Sequence, residues 1–246
     1  MSKAKTALIT GGSRGIGAAV VSRFAAEGWQ VIFTFVSNAS AADDVANRTG
    51  ARAVKCDAGS EDEILALMKS LDDDGIYIDA LVNNAGITGP KRRMEEVTAE
   101  TLEQVMRVNI SGVVLMCREA VKRMSTAHAG RGGVIVNLSS TATAAGSPNQ
   151  WVDYSASKGA IDIITKGLSR EVGAEGIRVN AVAPGYTLTD MAREGEIEAR
   201  FDSFKHEVPL GRIGTVDEVA AGIYWLCSDD AAYVSGAILP VSGGRV

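Results

Sequence analysis

Short apolar segments alternate along this chain with longer amphipathic segments, and this alternation limits its possible folds more than any other feature. Apolar strands that alternate with helices are typical of a parallel sheet covered by helices on both faces. Right-handed crossovers leave few topologies, so the pattern predicts an α/β fold with one doubly wound (Rossmann-like) parallel sheet of about seven strands. The predicted strands are residues 6–10, 30–35, 51–56, 79–85, 133–139, 177–183 and 237–241, and the predicted helices are residues 15–27, 40–49, 60–72, 99–126, 154–174 and 215–228.

We predict that residues 1–246 form a single domain. No linker rich in Pro, Gly or Ser, no shift in composition and no fixed-period repeat divides the 246 residues. Segment 184–214 departs from the alternation, because it is longer than an ordinary connection, rich in charge and helical in periodicity near its middle. Long excursions of this kind are often binding loops. We interpret it as a substrate loop, and a solvated surface excursion is the alternative.

Composition excludes several classes of function. A formal net charge of −5 argues against a nucleic-acid partner. No apolar run reaches the roughly 18 residues of a membrane span, and "MSKAKTALIT" enters a strand pattern without a signal-peptide cleavage site. With two histidines and three separated cysteines (Cys56, Cys117 and Cys227), we expect no metal site and buried thiols in a reducing compartment. We therefore predict a cytoplasmic protein that binds neither membrane nor nucleic acid.

The segment "TGGSRGIG" (10–17) follows the first predicted strand and opens a helix. Its four glycines permit a tight turn and a close approach of the backbone to a ligand. The N-terminus of the following helix presents unpaired N–H groups, which suit a pyrophosphate. The loop therefore predicts a dinucleotide site. An ordinary strand-to-helix turn is the alternative, since the spacing is Gly-x-x-x-Gly-x-Gly rather than Gly-x-Gly-x-x-Gly.

The end of the second predicted strand distinguishes NAD(H) from NADP(H). An NAD site places an acidic residue there to hold the ribose 2′-hydroxyl. This segment reads "VIFTFVSNAS" (31–40), and no carboxylate appears before Asp43. Arg14 in the glycine loop offers a positive charge, while Ser37 and Asn38 offer small hydrogen-bond donors. These residues predict NADP(H) as the cofactor, with NAD(H) less favoured.

The segment "DYSASKGA" (153–160) places Tyr154 and Lys158 four residues apart. On a helix this spacing puts both side chains on one face. A nearby ammonium group favours the phenolate and lowers the pKa of a tyrosine from its usual value of about 10. The pair is therefore a candidate proton donor and acceptor, and its small neighbours leave room for a bulky ligand. A coincidence of spacing is the alternative.

Six motifs occur in family-like order: "TGGSRGIG", "CDAGS" (56–60), "NNAG" (83–86), "NLSS" (137–140), "YSASK" (154–158) and "PGYTLTDM" (184–191). Through them the sequence resembles the short-chain dehydrogenases/reductases over essentially its whole length. The resemblance implies contacts with four parts of a dinucleotide cofactor. The implied contacts are Gly11, Ser13, Arg14, Ile16 and Gly17 at the phosphates, Asp57 and Ala58 at the adenine, Asn83, Ala85 and Gly86 at the ribose, and Pro184, Gly185, Thr187 and Thr189 at the nicotinamide.

The same resemblance implies four catalytic residues. Tyr154 resembles the family's acid/base, and Lys158 resembles the partner that lowers its pKa and holds the nicotinamide ribose. Asn109, in "RVNIS", resembles the asparagine that holds a water in a proton relay. The catalytic serine is less direct, because the usual spacing to the tyrosine falls on Thr141. We choose Ser140 over Ser139 and Thr141, taking the segment before Tyr154 as one residue longer than usual.

The implied activity is NADP(H)-dependent hydride transfer between a ketone and a secondary alcohol, with a sugar, a polyol or a similar small carbonyl compound as substrate. A 3-oxoacyl-[acyl-carrier-protein] reductase is the alternative, and a non-catalytic dinucleotide-binding regulator is a remote one. The family also implies a homotetramer that uses the helices at 99–126 and 154–174 and the C-terminal segment 235–246.

Two sequence features bear on the substrate. Trp151, with Gln150 and Asp153, is expected either to form a half-apolar wall for a hydroxylated ring or to pack at a subunit contact. The run Lys91, Arg92 and Arg93 is expected to be a solvated surface, with contact to an acidic acyl carrier protein as the alternative.

Overall fold

Seven parallel strands form one sheet in the computed structural model, which describes residues 4–189 and 205–245. Their order is β3-β2-β1-β4-β5-β6-β7, and every neighbouring pair is parallel. The predicted doubly wound sheet is confirmed. The strands are β1 (Thr6–Ile9), β2 (Gln30–Phe35), β3 (Arg52–Lys55), β4 (Ala80–Asn83), β5 (Gly133–Leu138), β6 (Ile177–Pro184) and β7 (Ile238–Val241).

Helices cover both faces of the sheet. One apolar core joins α1, α2 and α8 to the sheet, and a second core joins α3, α5 and α7 to the opposite face. Alternation along β1 shows the division, because Ala7 and Ile9 enter the first core while Leu8 enters the second. The helices are α1 (Gly15–Ala26), α2 (Ala39–Thr49), α3 (Glu61–Asp73), α4 (Ala99–Met106), α5 (Gly112–Met124), α6 (Ala142–Ala145), α7 (Val152–Val172) and α8 (Val216–Cys227).

Local signals in the sequence define several helix starts. Ser60 and Thr98 accept hydrogen bonds from backbone N–H groups in the first turns of α3 and α4. Thr215 and Glu218 form a reciprocal capping box at the start of α8. Each of these contacts satisfies an N–H group that the helix itself leaves unpaired.

The predicted helix at 99–126 is interrupted in the structure. A π-helical turn, Arg107–Ser111, separates α4 from α5 without ending the helical path. The turn inserts an extra residue, as π-bulges do, and Asn109 lies within it. Hydrophobic periodicity does not reveal such an insertion, because the apolar stripe continues on either side.

The strand order reverses direction between β1 and β4. The chain moves outward from β1 through β2 to β3 and then returns to β4 on the other side of β1. The loops after β1 and β4 therefore leave opposite sides of one crevice at the carboxyl edge of the sheet. Ligands bind at this place in open α/β sheets.

Parts of segment 184–214 are described. Thr187 pairs with Gly214 in an isolated bridge, and Lys205–Glu207 forms a 3-10 turn. The predicted helical periodicity near the middle of the segment lies outside the described residues. Within the described residues, no helix is both long enough and apolar enough to span a membrane.

Candidate active site

A single cleft of about 1280 Å³ runs along the carboxyl edge of the sheet. Pockets for drug-sized ligands occupy roughly 300–1,000 Å³, so this cleft offers room for a dinucleotide and a small substrate. The predicted site residues that line it are Gly11, Ser13, Arg14, Ile16, Gly17, Ser37, Asn38, Asp57, Ala58, Ala85, Gly86, Ser140, Tyr154, Lys158, Pro184, Gly185, Thr187 and Thr189.

The glycine loop forms a cradle at one end of the cleft. Gly11 and Gly15 adopt positive φ angles of 69° and 54°, which side chains other than glycine rarely accept. A Cβ atom on Gly17 would lie 2.1 Å from the carbonyl oxygen of Gly11, so this approach also requires glycine. Helix α1 starts here without a side-chain cap from Arg14 and without an acidic residue in its first turn. Its N–H groups and dipole therefore fit the pyrophosphate of a dinucleotide.

Charged side chains near the carboxyl ends of β2 and β3 lie at the glycine-loop end of the cleft and favour the binding of an anion there. Asp57 is paired with Arg107 at 3.0 Å, and it also accepts a hydrogen bond from the backbone of Gly59. The Arg14 side chain is exposed and makes no hydrogen bond or ion pair within the described part of the chain. The Asn38 side-chain oxygen caps α2 by accepting from Ala41 N. An unpaired cation thus lines the cleft beside a carboxylate that is already neutralised.

The acid/base pair lies on α7, as its spacing predicts. Lys158 is buried, its ammonium donates to the carbonyl oxygen of Leu138 at 2.6 Å, and its Nζ lies 5.7 Å from the centroid of the Tyr154 ring. Asn109 is fully buried behind the cleft, where its amide donates to Ile87 O and Ser157 Oγ and its oxygen accepts from Ile87 N. The π-helical turn therefore links the loop after β4 to α7.

Three hydroxyl side chains end β5, and their contacts differ. Ser139 is buried and donates to the Asp162 carboxylate. Thr141 is buried and donates to Pro184 O. Ser140 interacts through its side chain with the Tyr154 phenol. Of these three contacts, only that of Ser140 involves Tyr154, so Ser140 is the hydroxyl placed to act together with the tyrosine.

The net shift of the Tyr154 pKa has the opposite direction to the predicted one. Burial of the phenol raises the pKa of Tyr154 above its usual value, and the contact with Ser140 opposes this shift without cancelling it. Burial also lowers the pKa of Lys158 to about 8, against the opposing charge of Asp162. Desolvation penalises both charged forms, and the ammonium is directed at Leu138 O. The tyrosine therefore keeps its proton at neutral pH.

Asn83 lies elsewhere than the sequence predicts. Its amide donates to Asn137 Oδ1 at 2.9 Å and to Cys117 Sγ at 3.3 Å inside the protein, and it does not line the cleft. Asn84 lines the cleft instead and donates to the carbonyl oxygens of Thr10 and Gly11. The alternation of side chains along a strand could have predicted this difference, because adjacent residues at a strand end face opposite sides of the sheet.

The loop after β4 and the start of α7 form one wall of the cleft. Arg92 and Asp153 make an ion pair at 2.5 Å whose side chains are only 8% and 4% exposed. Trp151 lines the cleft, its Nε1 donates to Gly89 O, and Lys91 Nζ lies 5.2 Å from its ring. Two predictions are therefore corrected: Arg92 is not part of a solvated charge run, and Asp153 is not a surface of the cleft.

Glu207 and Arg245 also line the cleft, and no sequence motif pointed to either residue. Arg245 donates to Thr141 Oγ1 at 3.0 Å across 104 residues of sequence. No local motif signals a contact at such a separation. Arg245 reaches the cleft because β7 lies beside β6 and brings the C-terminal segment to the edge of the sheet, whereas Glu207 reaches it from the turn Lys205–Glu207.

The cysteines lie outside this chemistry. Cys56, Cys117 and Cys227 are buried free thiols, and burial raises the pKa of each to about 12. Thiols with raised pKa values are poor nucleophiles. Residues 4–189 and 205–245 contain no group of three or more His, Cys, Asp and Glu side chains arranged to hold a metal ion.

Comparison with known proteins agrees with this geometry. A family model described as "Enoyl-(Acyl carrier protein) reductase" matches residues 11–245. The chain is 45% identical over 244 residues to the uncharacterized oxidoreductase YgfF of Escherichia coli (strain K12), with coverage of 97% of this chain and 99% of that protein. The chain belongs to the short-chain dehydrogenase/reductase family.

Two further similarities concern a plant relative and a solved structure. The chain is 38% identical over 261 residues to a glucose and ribitol dehydrogenase homolog of Oryza sativa subsp. japonica, covering 99% of this chain and 86% of the other. A mutant short-chain dehydrogenase/reductase from Serratia marcescens superposes with a TM-score of 0.89 at 33% identity, covering 98% and 97% of the two chains. Members of this family are oxidoreductases that act on CH–OH/C=O groups with a nicotinamide dinucleotide cofactor.

We predict that Asp153→Asn lowers the free energy of unfolding by about 3–5 kcal/mol, because it leaves the Arg92 charge buried and unpaired. Glu95→Gln is the matched control, since it breaks the adjacent Arg93–Glu95 pair, whose side chains are 63% and 62% exposed. Exposed pairs contribute at most about 1 kcal/mol. Urea unfolding of the two variants measures the difference, and equal losses would contradict a buried pair.

The lowered pKa of Lys158 predicts a pH-dependent stability. A buried lysine that titrates at about 8, against 10.5 when unfolded, binds fewer protons in the folded state between these values. Its penalty is full below pH 8 and declines as the pH rises. The stability of Lys158→Met relative to the unmodified protein should therefore fall by about 2 kcal/mol between about pH 7 and pH 9.5.

Urea unfolding at the two pH values measures this change. The exposed Lys166, two turns further along α7, provides the control variant Lys166→Met, for which we expect a difference below about 0.5 kcal/mol. A Lys158→Met stability difference that stays constant with pH would refute the buried-ammonium description.

Proposed function

We propose that this protein catalyses reversible hydride transfer between NADP(H) and a ketone or secondary alcohol, with a sugar, a polyol or a similar small carbonyl compound as substrate. One observation carries the proposal: the Ser140 and Tyr154 side chains interact beside the buried Lys158 in the same cleft that contains the glycine loop. A proton donor and a dinucleotide cradle in one cleft are the two parts that such a reaction requires.

Reduction of a ketone adds a hydride to carbon and a proton to oxygen. The nicotinamide, when bound, supplies the hydride or accepts it in the reverse direction. A phenol is protonated at neutral pH, and burial raises the pKa of Tyr154 further, so its hydroxyl carries the proton that passes to the substrate oxygen. The Ser140 hydroxyl donates a second hydrogen bond to the oxygen as negative charge develops there.

Lys158 and Asn109 complete the proposed proton path. In the oxidative direction Tyr154 accepts the alcohol proton as a phenolate, and the Lys158 ammonium on the same helix face stabilises that anion. We propose that Asn109 holds a water that returns the proton to solvent. The contact of Asn109 with Ser157, one residue before Lys158, supports this role.

The charges at the adenine end support NADP(H) over NAD(H). Among the described residues that line this end, Asp57 is the sole carboxylate, and Arg107 neutralises it at 3.0 Å. Arg14 faces the same cleft without an acidic partner in the described part of the chain. A ribose 2′-phosphate would gain from Arg14 and meet no uncompensated negative charge.

The wall opposite the glycine loop supports a small hydroxylated substrate. Trp151 presents an aromatic side chain and Gln150 a polar one to the cleft. The similarity to a glucose and ribitol dehydrogenase homolog supports the same class. The alternative, a 3-oxoacyl-[acyl-carrier-protein] reductase, is supported by 36% identity over 245 residues to the protein of that name from Aquifex aeolicus (strain VF5). Against it, Arg92 is buried and Arg93 is paired with Glu95, so neither is a free cation for an acidic carrier.

We also propose a homotetramer in the cytoplasm. Leu102 on α4, Val114 on α5 and Ile163 on α7 expose 38%, 43% and 67% of their surface, which supports an interface on these helices. The buried free thiols support a reducing compartment. Sedimentation of the purified protein tests the tetramer, and a monomer would overturn it.

Tyr154→Phe tests the reaction itself. Loss of the acid should reduce kcat by more than about 100-fold while the Kd for NADPH stays within about 3-fold. The assay follows a panel of ketones and alcohols at the nicotinamide absorbance with both cofactors. Tyr224→Phe is the control, because that hydroxyl lies on α8 outside the cleft. A Tyr154→Phe enzyme with near-normal turnover, or a native protein that binds NADPH without turnover as a regulator would, contradicts the proposal.

Arg14→Ala tests the cofactor. The ratio of kcat/KM with NADPH to kcat/KM with NADH should fall by at least about 10-fold, because a charge-assisted contact to the 2′-phosphate is lost. The exposed Arg48 lies on α2 outside the cleft and provides the control Arg48→Ala, which should leave the ratio unchanged. A native preference for NADH, or an Arg14→Ala ratio equal to that of the control, refutes the assignment.

A further inference from the structure

Four side chains from distant parts of the chain meet at the substrate end of the cleft, and we call them the C-terminal arginine cluster: Thr141, Tyr186, Glu207 and Arg245. Thr141 directly follows Ser140 at the end of β5, and Tyr186 follows β6. Glu207 ends the 3-10 turn Lys205–Glu207, and Arg245 lies just after β7. Because Thr141 is the residue after Ser140, the cluster lies next to the proposed reaction centre.

Arg245 connects the other three members. Its Nε donates to Glu207 Oε2 at 3.0 Å, and its Nη1 donates to Thr141 Oγ1 at 3.0 Å. The guanidinium carbon lies 4.4 Å from the centroid of the Tyr186 ring, and the Tyr186 hydroxyl donates to Glu207 Oε2 at 3.2 Å. The Arg245 side chain is 16% exposed and the Glu207 side chain 40%. These contacts hold both charged groups in fixed orientations at the cleft surface.

Hydrogen-bonding capacity remains after these contacts are made. A guanidinium carries five N–H donors, and Arg245 uses Nε and one Nη1 hydrogen within the described residues. Glu207 uses Oε2 there, and its Oε1 accepts no hydrogen bond from a described residue. Donors and an acceptor thus lie side by side on the wall of the cleft. A hydroxyl group both donates and accepts, so adjacent hydroxyls on a ligand match this arrangement.

The charge balance decides which ligands fit. The Glu207 carboxylate compensates the Arg245 guanidinium at 3.0 Å and would repel a phosphate or carboxylate placed against the pair. An arginine that binds an anionic ligand would instead lack an acidic partner, as the Arg14 side chain does among the described residues. The cluster therefore favours an uncharged ligand with neighbouring hydroxyl groups.

We propose that Arg245 and Glu207 form a hydroxyl-recognition subsite that selects uncharged substrates carrying a hydroxyl next to the reacting carbon, an inference that rests on the proposed oxidoreductase function. Thr141, which directly follows Ser140, holds Arg245 beside the strand end that carries Ser140. The subsite contributes to substrate binding and orientation, while proton transfer remains with Tyr154.

Two matched ketones test the proposal: 2-hydroxycyclohexanone carries the neighbouring hydroxyl and cyclohexanone lacks it. With NADPH, the native enzyme should show a kcat/KM at least about 10-fold higher for the hydroxyketone, since a site built for a hydroxyl discriminates against its absence. Arg245→Gln should lower that kcat/KM by about 10- to 100-fold, mainly through KM, and change the value for cyclohexanone by less than about 3-fold. Glu207→Gln should shift the preference in the same direction.

A second arginine–glutamate pair supplies the control. Arg212 and Glu218 form an exposed pair near the start of α8 and do not line the cleft, so Arg212→Gln should leave both substrates unaffected. Calorimetric titration with cyclohexane-1,2-diol gives a readout independent of turnover, and its Kd should rise at least about 10-fold in Arg245→Gln.

The outcomes separate the two proposals. Turnover of both ketones with equal losses in Arg245→Gln would assign the cluster a purely structural role and overturn the subsite alone. Turnover without preference for the hydroxyketone would also overturn the subsite alone. Absence of turnover with the whole panel of ketones and alcohols would overturn the proposed function, and the subsite with it.

Discussion

Every strand of the sheet runs in the same direction, and the functional geometry of this protein depends on that constraint. Parallel strands bring all their carboxyl ends to one edge, so loops that are far apart in sequence open into one cleft. The glycine loop after β1 and the segment after β4 face each other because the strand order reverses between them. The hydroxyls after β5 and the C-terminal residues after β7 reach the same cleft from the other half of the sheet.

Burial determines the chemistry of the central pair. Tyr154 and Lys158 share a helix face, yet the dominant influence on both is the cost of removing charge from water. The phenol retains its proton, and the lowered pKa of Lys158 brings its ammonium closer to losing one. The hydrogen bond from Lys158 to Leu138 O holds the ammonium within the core, where an uncompensated charge would otherwise be expensive. At neutral pH the pair therefore presents a protonated phenol to the cleft.

Charged side chains that are adjacent in the sequence of this protein differ in their burial and in their partners. Arg92 and Arg93 are adjacent in sequence, but Arg92 is sealed against Asp153 and Arg93 is exposed with Glu95. The buried pair ties the loop after β4 to the first turn of α7, one residue before Tyr154. Arg245 makes two such connections from the C-terminal segment, an ion pair to Glu207 in the turn Lys205–Glu207 and a hydrogen bond to Thr141 after the strand end that carries Ser140. Ion pairs thus hold two walls beside the proposed reaction centre.

The sequence by itself determined the parallel sheet, the glycine cradle and the Tyr154–Lys158 face, because each follows from local spacing: strand–helix alternation, the glycines at 11, 15 and 17, and one turn of helix. The family resemblance also pointed to the hydroxyls at 139–141 but did not distinguish their partners. Only the tertiary structure placed Asn83 in the core, inserted the π-helical turn at Asn109, reversed the expected pKa shift of Tyr154, and brought Arg245 to Thr141. Those features depend on burial and on contacts between distant segments, and a linear pattern of residues contains neither.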